Sequence, residues 1–225
     1  MDEKGIILGM ATRSKVITPR ASLHKAVQQP GNREFVSIIE CVSADGRALA
    51  PFVIWKAKQH QASWYNEADF SSWRFAVSER GWTDRDLALS WIQMFDAQTQ
   101  ADVTNEEWRM LLLDNHDSHL TWQFVFYALE RKIILITLPP HSTHNLQPLD
   151  VGLFSPLQHY YGTEVDDVCR TGVTGIQKDR FISLYERARN LTFTLETIRS
   201  AWAATGLVPF DPSRVLLKVE AILQQ

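Results

Sequence analysis

The sequence predicts an α/β fold in which helices flank a mixed sheet, and three features carry that expectation. Residues 35–42 and 51–55 are rich in β-branched and aromatic side chains, and Ala44-Asp45-Gly46 between them supplies turn chemistry, so the two segments make an antiparallel hairpin. The apolar runs 109–114 and 132–138 enclose an amphipathic stretch from 120 to 131. Strand, helix and strand with short joints form a βαβ unit, which sets parallel neighbours side by side in a buried pair. From residue 145 onward the apolar spacing is helical.

The other elements follow in chain order. Residues 5–9 read as the end of a first strand, and the basic Arg13, Lys15, Arg20 and Lys25 as an exposed connection. Between residues 64 and 75 the period is lost, which predicts a loop. Thr83-Asp84 opens a helix on which Leu87, Trp91 and Met94 or Phe95 recur at three and four residues. A helix is predicted through Leu153, Phe154, Leu157 and Tyr160 or Tyr161, and another over 178–190. A further one starts at Thr194 as its cap and ends at Gly206. Asp211-Pro212, a cap followed by proline at the first helical position, predicts a last helix over 213–223.

Bulk properties narrow the function classes. A chain of 225 residues can bury roughly 70% of its unfolded surface as one α/β unit. With no repeat or linker to divide it, residues 1–225 are expected to be one domain, 163–225 being its helical C-terminal part. Hydrophobic residues at 45%, charged residues at 22% and a net charge of -3 describe a globular chain, not a disordered one. No apolar run approaches the roughly 18 residues of a membrane span, and the first residues do not resemble a secretory signal. Cys41 and Cys169 lack the spacing of a disulfide framework or a thiolate metal site and are expected to be buried or idle thiols.

The chemistry concentrates in two segments. Leu111-Leu112-Leu113-Asp114-Asn115-His116-Asp117-Ser118-His119 places an acid just past the end of a strand, at the carboxyl edge where open α/β sheets hold ligands. Leu138-Pro139-Pro140-His141-Ser142-Thr143-His144, continuing to Gln147-Pro148-Leu149-Asp150, follows the neighbouring parallel strand and brings a second acid to the same edge. A turn or helix-capping role is the alternative for Asp114. The pairs His116 with His119 and His141 with His144 have a spacing that zinc would accept, but no helix or acid-bearing zinc signature surrounds them. Asp45 and Asp117 suit turns. Among the eight tryptophans, Trp64 and Trp73 are the candidates for contact with a planar ligand.

Together these segments resemble the endonuclease domain of pogo, Tigger and jerky transposases, a DDE-type group. The resemblance rests on Leu113-Asp114-x-His116-x-Ser118-His119, on Leu138 to His144, and on Gln147-Pro148-Leu149-Asp150-Val151-Gly152-x-Phe154. Asp2-Glu3-Lys4-Gly5 is similar to the group's first aspartate motif, and Ser43-Ala44-Asp45-Gly46 with Pro51-Phe52-Val53-Ile54 to its first hairpin. Gly81-Trp82-Thr83 with Trp91, and Trp202 through Pro209, match later signatures. The chain departs from the group at Asn115, where a glycine is usual, and at Gln158, where a basic residue is.

The resemblance implies an RNase H-like fold whose first strand is truncated, because the first acid sits at position 2. It implies that Asp2, Asp114 and Asp150 are the catalytic triad and ligands for two Mg²⁺ or Mn²⁺ ions, with His119, His141 and His144 as accessory residues. In-line displacement at a phosphodiester uses two divalent ions about 3.5–4 Å apart. DNA is the implied partner, a homo-oligomer on DNA the implied assembly, and the nucleus the implied location. The alternative is a domesticated, non-enzymatic DNA- or chromatin-associated module with the same fold. A net charge of -3 and the absence of the group's helix-turn-helix domains from these 225 residues predict weak or absent nicking.

Overall fold

The computed structural model describes residues 1–9, 34–65, 72–102, 104, 107–114, 121–173 and 175–217. Strands β1 (Asp2–Ile7), β2 (Phe35–Glu40), β3 (Phe52–Lys56) and β4 (Arg74–Ser78) lie side by side in that order. β1 with β2 and β2 with β3 are antiparallel, and β3 with β4 is parallel. β5 (Arg109–Leu113) and β6 (Ile133–Thr137) form a separate parallel pair. The hairpin and the βαβ unit are thus where the sequence puts them. β4 is an addition, since residues 74–75 were expected in a loop. Its composition is weak for a strand, and what recruits it is the free edge of β3, which pairs with it from Phe52 to Lys56.

The two faces of the sheet carry different helices. On one, α1 (Arg85–Thr99) and α2 (Trp122–Glu130) enclose a core with Ile39, Phe52, Ile54, Leu111, Leu113 and Ile133. α1 begins at Asp84, whose carboxylate accepts from the Asp86 and Leu87 amides at 3.1 and 2.9 Å. Arg109 ties β5 to α1 through Asp96, Nη2 to Oδ1 at 2.6 Å. On the other face lie a one-turn helix α3 (Thr143–Leu146), a wide π-type turn (Leu149–Leu153), α4 (Phe154–Arg170), α5 (Lys178–Thr192) and α6 (Leu195–Ala204). The π-type turn, α4, α5 and α6 pack around Val36, Ile38, Val53 and Trp55. Residues 213–217 are helical, and the rest of the last predicted helix lies outside the described residues.

Two expectations need correction. The β5–β6 pair is buried on one face only: Met110 is 68% and Ile134 42% exposed, because the helices that seal that side lie over β1 to β3. Trp64 is no surface platform for a planar ligand, being buried in the core beneath the Lys178 ammonium, 4.2 Å from its ring centroid. Trp73 is half-buried between Phe75 and Tyr185. The aromatics in that stretch are held by one another.

β1 is as long as β2 and pairs with it along its whole length. Toward β5 the sheet divides. The seam is bridged by a hydrogen bond from the Met1 ammonium to the Leu112 carbonyl at 2.7 Å, and by the side chain of Met1 in the core that also holds Leu111 and Leu113.

Candidate active site

Strand alternation decides which side chains meet. Asp2 and Lys4 stand opposite Glu40 and Ile38, and Ile38 belongs to the core beneath α4 and α5. Directly opposed residues share a face, so Asp2 and Lys4 lie on that side too. On β5, Leu111 and Leu113 enter the opposite core. Asp114, one residue past the strand, therefore alternates onto the face of Asp2. Asp150 comes to the same face on the π-type turn that leads into α4. Such wide turns insert an extra residue into a helix and recur at functional sites. Gly152 lets α6 lie against this one, because a Cβ there would sit 2.7 Å from that of Ala201.

The electrostatics show the convergence. Asp2 is 9% exposed, and its carboxyl is raised from 3.8 to about 7. Burial is the largest cause and the Asp150 carboxylate the next; Asp114 adds to both. The terminal ammonium and the Glu3 amide, which donates to Asp2 Oδ1 at 2.8 Å, act against them. Lys4 lies beside this cluster, its Nζ 3.9 Å from Asp150 Oδ1 and 5.3 Å from the ring centroid of Phe154.

Sequence reasoning missed the neighbour that completes the picture. Glu40, opposite Asp2, is fully buried and accepts from Tyr185 Oη at 2.6 Å and from Arg189 Nε and Nη2 at 2.8 and 2.9 Å. Its partners arrive from α5, more than a hundred residues away in the chain, and no local motif announces them.

His141 is exposed and has a positive φ of 60°, and His144 Nε2 lies 2.9 Å from Asn145 Nδ2. His116, Asp117 and His119 lie outside the described residues. Asp45 holds its turn through Ser43 and Arg47, and Cys41 and Cys169 are free thiols. Three carboxylates are hard oxygen donors that suit Mg²⁺ or Mn²⁺, and the surplus negative charge that raises Asp2 is what a divalent cation would neutralise. The donor set fits the ion. Among the described residues no three His, Cys, Asp or Glu side chains are gathered closely enough to hold one, so the acids share a field, not a coordination shell.

Comparison with known proteins decides the family. The family model for DDE superfamily endonucleases matches residues 32–202, most of the chain. The chain belongs to the DDE superfamily endonucleases. Asp114 and Asp150 fall inside the matched part of this endonuclease domain, and Asp2 precedes it.

Its fold is similar to that of two solved Mos1 structures at 13% identity and a TM-score of 0.50 each. A strand transfer complex is covered over 91% of this chain and 53% of that one, and a Mos1 mariner paired end complex with Mn over 93% and 54%. The DDE domain is therefore RNase H-like in architecture. Among curated relatives it is 35% identical over 224 residues to the MFS-type transporter clz9 of Cochliobolus lunatus, covering 99% of this chain and 24% of that protein. It is 33% identical over 63 residues to the Chaetoglobosin A biosynthesis cluster protein C of Chaetomium globosum, covering 28% of this chain and 15% of that one. The chain thus spans about a quarter of the first relative and about half of the Mos1 chains. No helix among the described residues is long and apolar enough to cross a membrane.

Proposed function

We propose that this DDE endonuclease domain cleaves DNA phosphodiesters with Asp2, Asp114 and Asp150 as the acids that hold Mg²⁺ or Mn²⁺, as in transposases of the pogo, Tigger and jerky group. The observation that carries this reading is that the three acids face one side of the sheet, where burial first, and then the carboxylates of Asp150 and Asp114, raise the Asp2 carboxyl to about 7. When bound, two such ions supply a deprotonated attacking oxygen and a stabilised leaving oxygen. Asp2, Asp114 and Asp150 hold them from three separate segments, so the site forms only in the folded sheet. Lys4 stands beside Asp150, 3.9 Å away, and His141 and His144 are accessory contacts for phosphate. The whole of residues 1–225 acts as one unit, with 163–225 as its helical C-terminal part, in the nucleus and as a homo-oligomer on DNA.

Nicking of supercoiled plasmid tests the proposal. The chain should nick slowly in Mn²⁺ and more slowly in Mg²⁺, because a net charge of -3 attracts DNA weakly. Asp114→Ala and Asp150→Ala should abolish it. Nicking unchanged in both variants would place the chemistry elsewhere. The alternative is a non-enzymatic DNA- or chromatin-associated module with the same fold. DNA binding that persists while neither ion binds would select that reading.

A further inference from the structure

The three acids sit on three segments, and each segment is held at a residue close to its acid. Met1, immediately before Asp2, donates through its ammonium to the carbonyl of Leu112, two residues before Asp114, at 2.7 Å. The carbonyl of Met1 accepts from Nε2 of Gln147, three residues before Asp150, also at 2.7 Å. Both polar groups of Met1 are thus engaged, one toward each of the other two acids.

Gln147 is built for this contact. It is 1% exposed, and its backbone is held at both ends: its amide donates to Thr143 O at 2.9 Å and its carbonyl accepts from Val151 at 3.0 Å. The side chain therefore leaves a fixed point at the start of the π-type turn and ends on the peptide that precedes Asp2. A buried amide of this kind costs free energy unless its donors are used, so the bond to Met1 is not interchangeable with solvent.

We propose that Gln147 is a positioning residue: by holding the Met1 carbonyl it fixes the peptide that carries Asp2 against the segments that carry Asp114 and Asp150. The proposal rests on the metal-binding reading above and adds the group that sets the spacing of the acids. Outer partners that orient metal ligands are worth about 10–100-fold in metal affinity.

The experiment is Mn²⁺ binding to the full chain, read from the free-ion signal in electron paramagnetic resonance. Gln147→Met keeps the length of the side chain and removes the donor; it should weaken Mn²⁺ binding by about tenfold or more. Thr192→Val removes a comparably buried hydroxyl, which donates to Ala188 O at 2.8 Å on α5; it should lower stability yet leave Mn²⁺ affinity unchanged. If Gln147→Met does not fold, Gln147→Asn, a methylene too short to reach Met1, should give the same loss. Mn²⁺ affinity equal to wild type in a folded Gln147 variant, with binding lost in Asp150→Asn, would overturn the role of Gln147 alone. No Mn²⁺ binding by the wild type, or binding unchanged in Asp150→Asn, would overturn the metal reading and Gln147 with it.

Discussion

Asp2 and Glu40 face each other across the β1–β2 ladder, two buried acids on one sheet face with opposite surroundings. Glu40 has its countercharge built in: Arg189 donates to both of its oxygens and Tyr185 to one. Asp2 is driven up to about 7 instead, by burial first and then by the carboxylates of Asp150 and Asp114. The difference separates an acid that holds the fold together from one that the fold holds against its own interest. Neutralised inside the chain, Glu40 ties α5 to β2. Asp2 makes chemical sense when a cation comes from outside.

The largest effect should come from breaking the satisfied side. Arg189→Met leaves Glu40 buried without its cation, and removal of one partner from a buried pair costs about 3–5 kcal/mol. Urea unfolding at pH 7 should show a midpoint far below wild type, or no folded protein. A midpoint unchanged by Arg189→Met would mean that Glu40 takes up a proton at little cost, and the contrast with Asp2 would dissolve.

Next comes the pH dependence of the unsatisfied side. The unfolded chain releases the Asp2 proton near 3.8, while the folded chain keeps it to about 7. Between those values the folded state binds more protons, so stability falls as pH rises from about 4 to 7, then levels off. The loss is at most on the order of 4 kcal/mol. Asp2→Asn, which cannot ionise, should flatten that slope and be more stable than wild type at pH 8. Unfolding curves across this pH range that superimpose for the two proteins would show that Asp2 is not strained.

How far such contrasts can be read in advance depends on the range of the interactions. The hairpin, the βαβ unit and the caps at Asp84 and Thr194 were legible because turn chemistry, periodicity and capping act within a few residues. Asp114 and Asp150 stood out because a buried run ends just before one and a distinctive motif surrounds the other. β4 was hidden because its pairing comes from β3 and not from its own composition. The exposure of Met110 and Ile134 was hidden for a related reason: an apolar run does not say how many of its faces a helix will cover. Arg189 with Glu40 and Gln147 with Met1 join residues about 150 positions apart, so only the fold brings them together.

A third test supplies the external cation. Ligand binding to the folded state alone stabilises by about 2.7 kcal/mol at a hundredfold excess over Kd. Mn²⁺ should therefore raise the melting temperature of the wild type at pH 8, where Asp2 is ionised. It should do less at pH 5, where the proton competes, and nothing for Asp150→Asn. A shift of equal size at both pH values would mean that the ion binds away from Asp2.

The smallest effect belongs to Lys4. Its ammonium is 3.9 Å from Asp150 Oδ1, with both side chains about a third exposed. An ion pair so open to water contributes 1 kcal/mol or less, so Lys4→Gln should barely move the unfolding midpoint. Its influence on the metal has two opposing parts. Lys4 occupies part of the field of Asp150 that a cation needs, and its removal should tighten Mn²⁺ binding by a few-fold at low salt. Under the proposed function the ammonium beside Asp150 also meets a DNA phosphate, so the same variant should nick more slowly. Both effects should shrink in 0.5 M salt, where the Debye length falls to about 4 Å. Tighter Mn²⁺ binding with slower nicking would identify Lys4 as a stand-in for the cation beside Asp150. Weaker Mn²⁺ binding in Lys4→Gln would show instead that it orders Asp150.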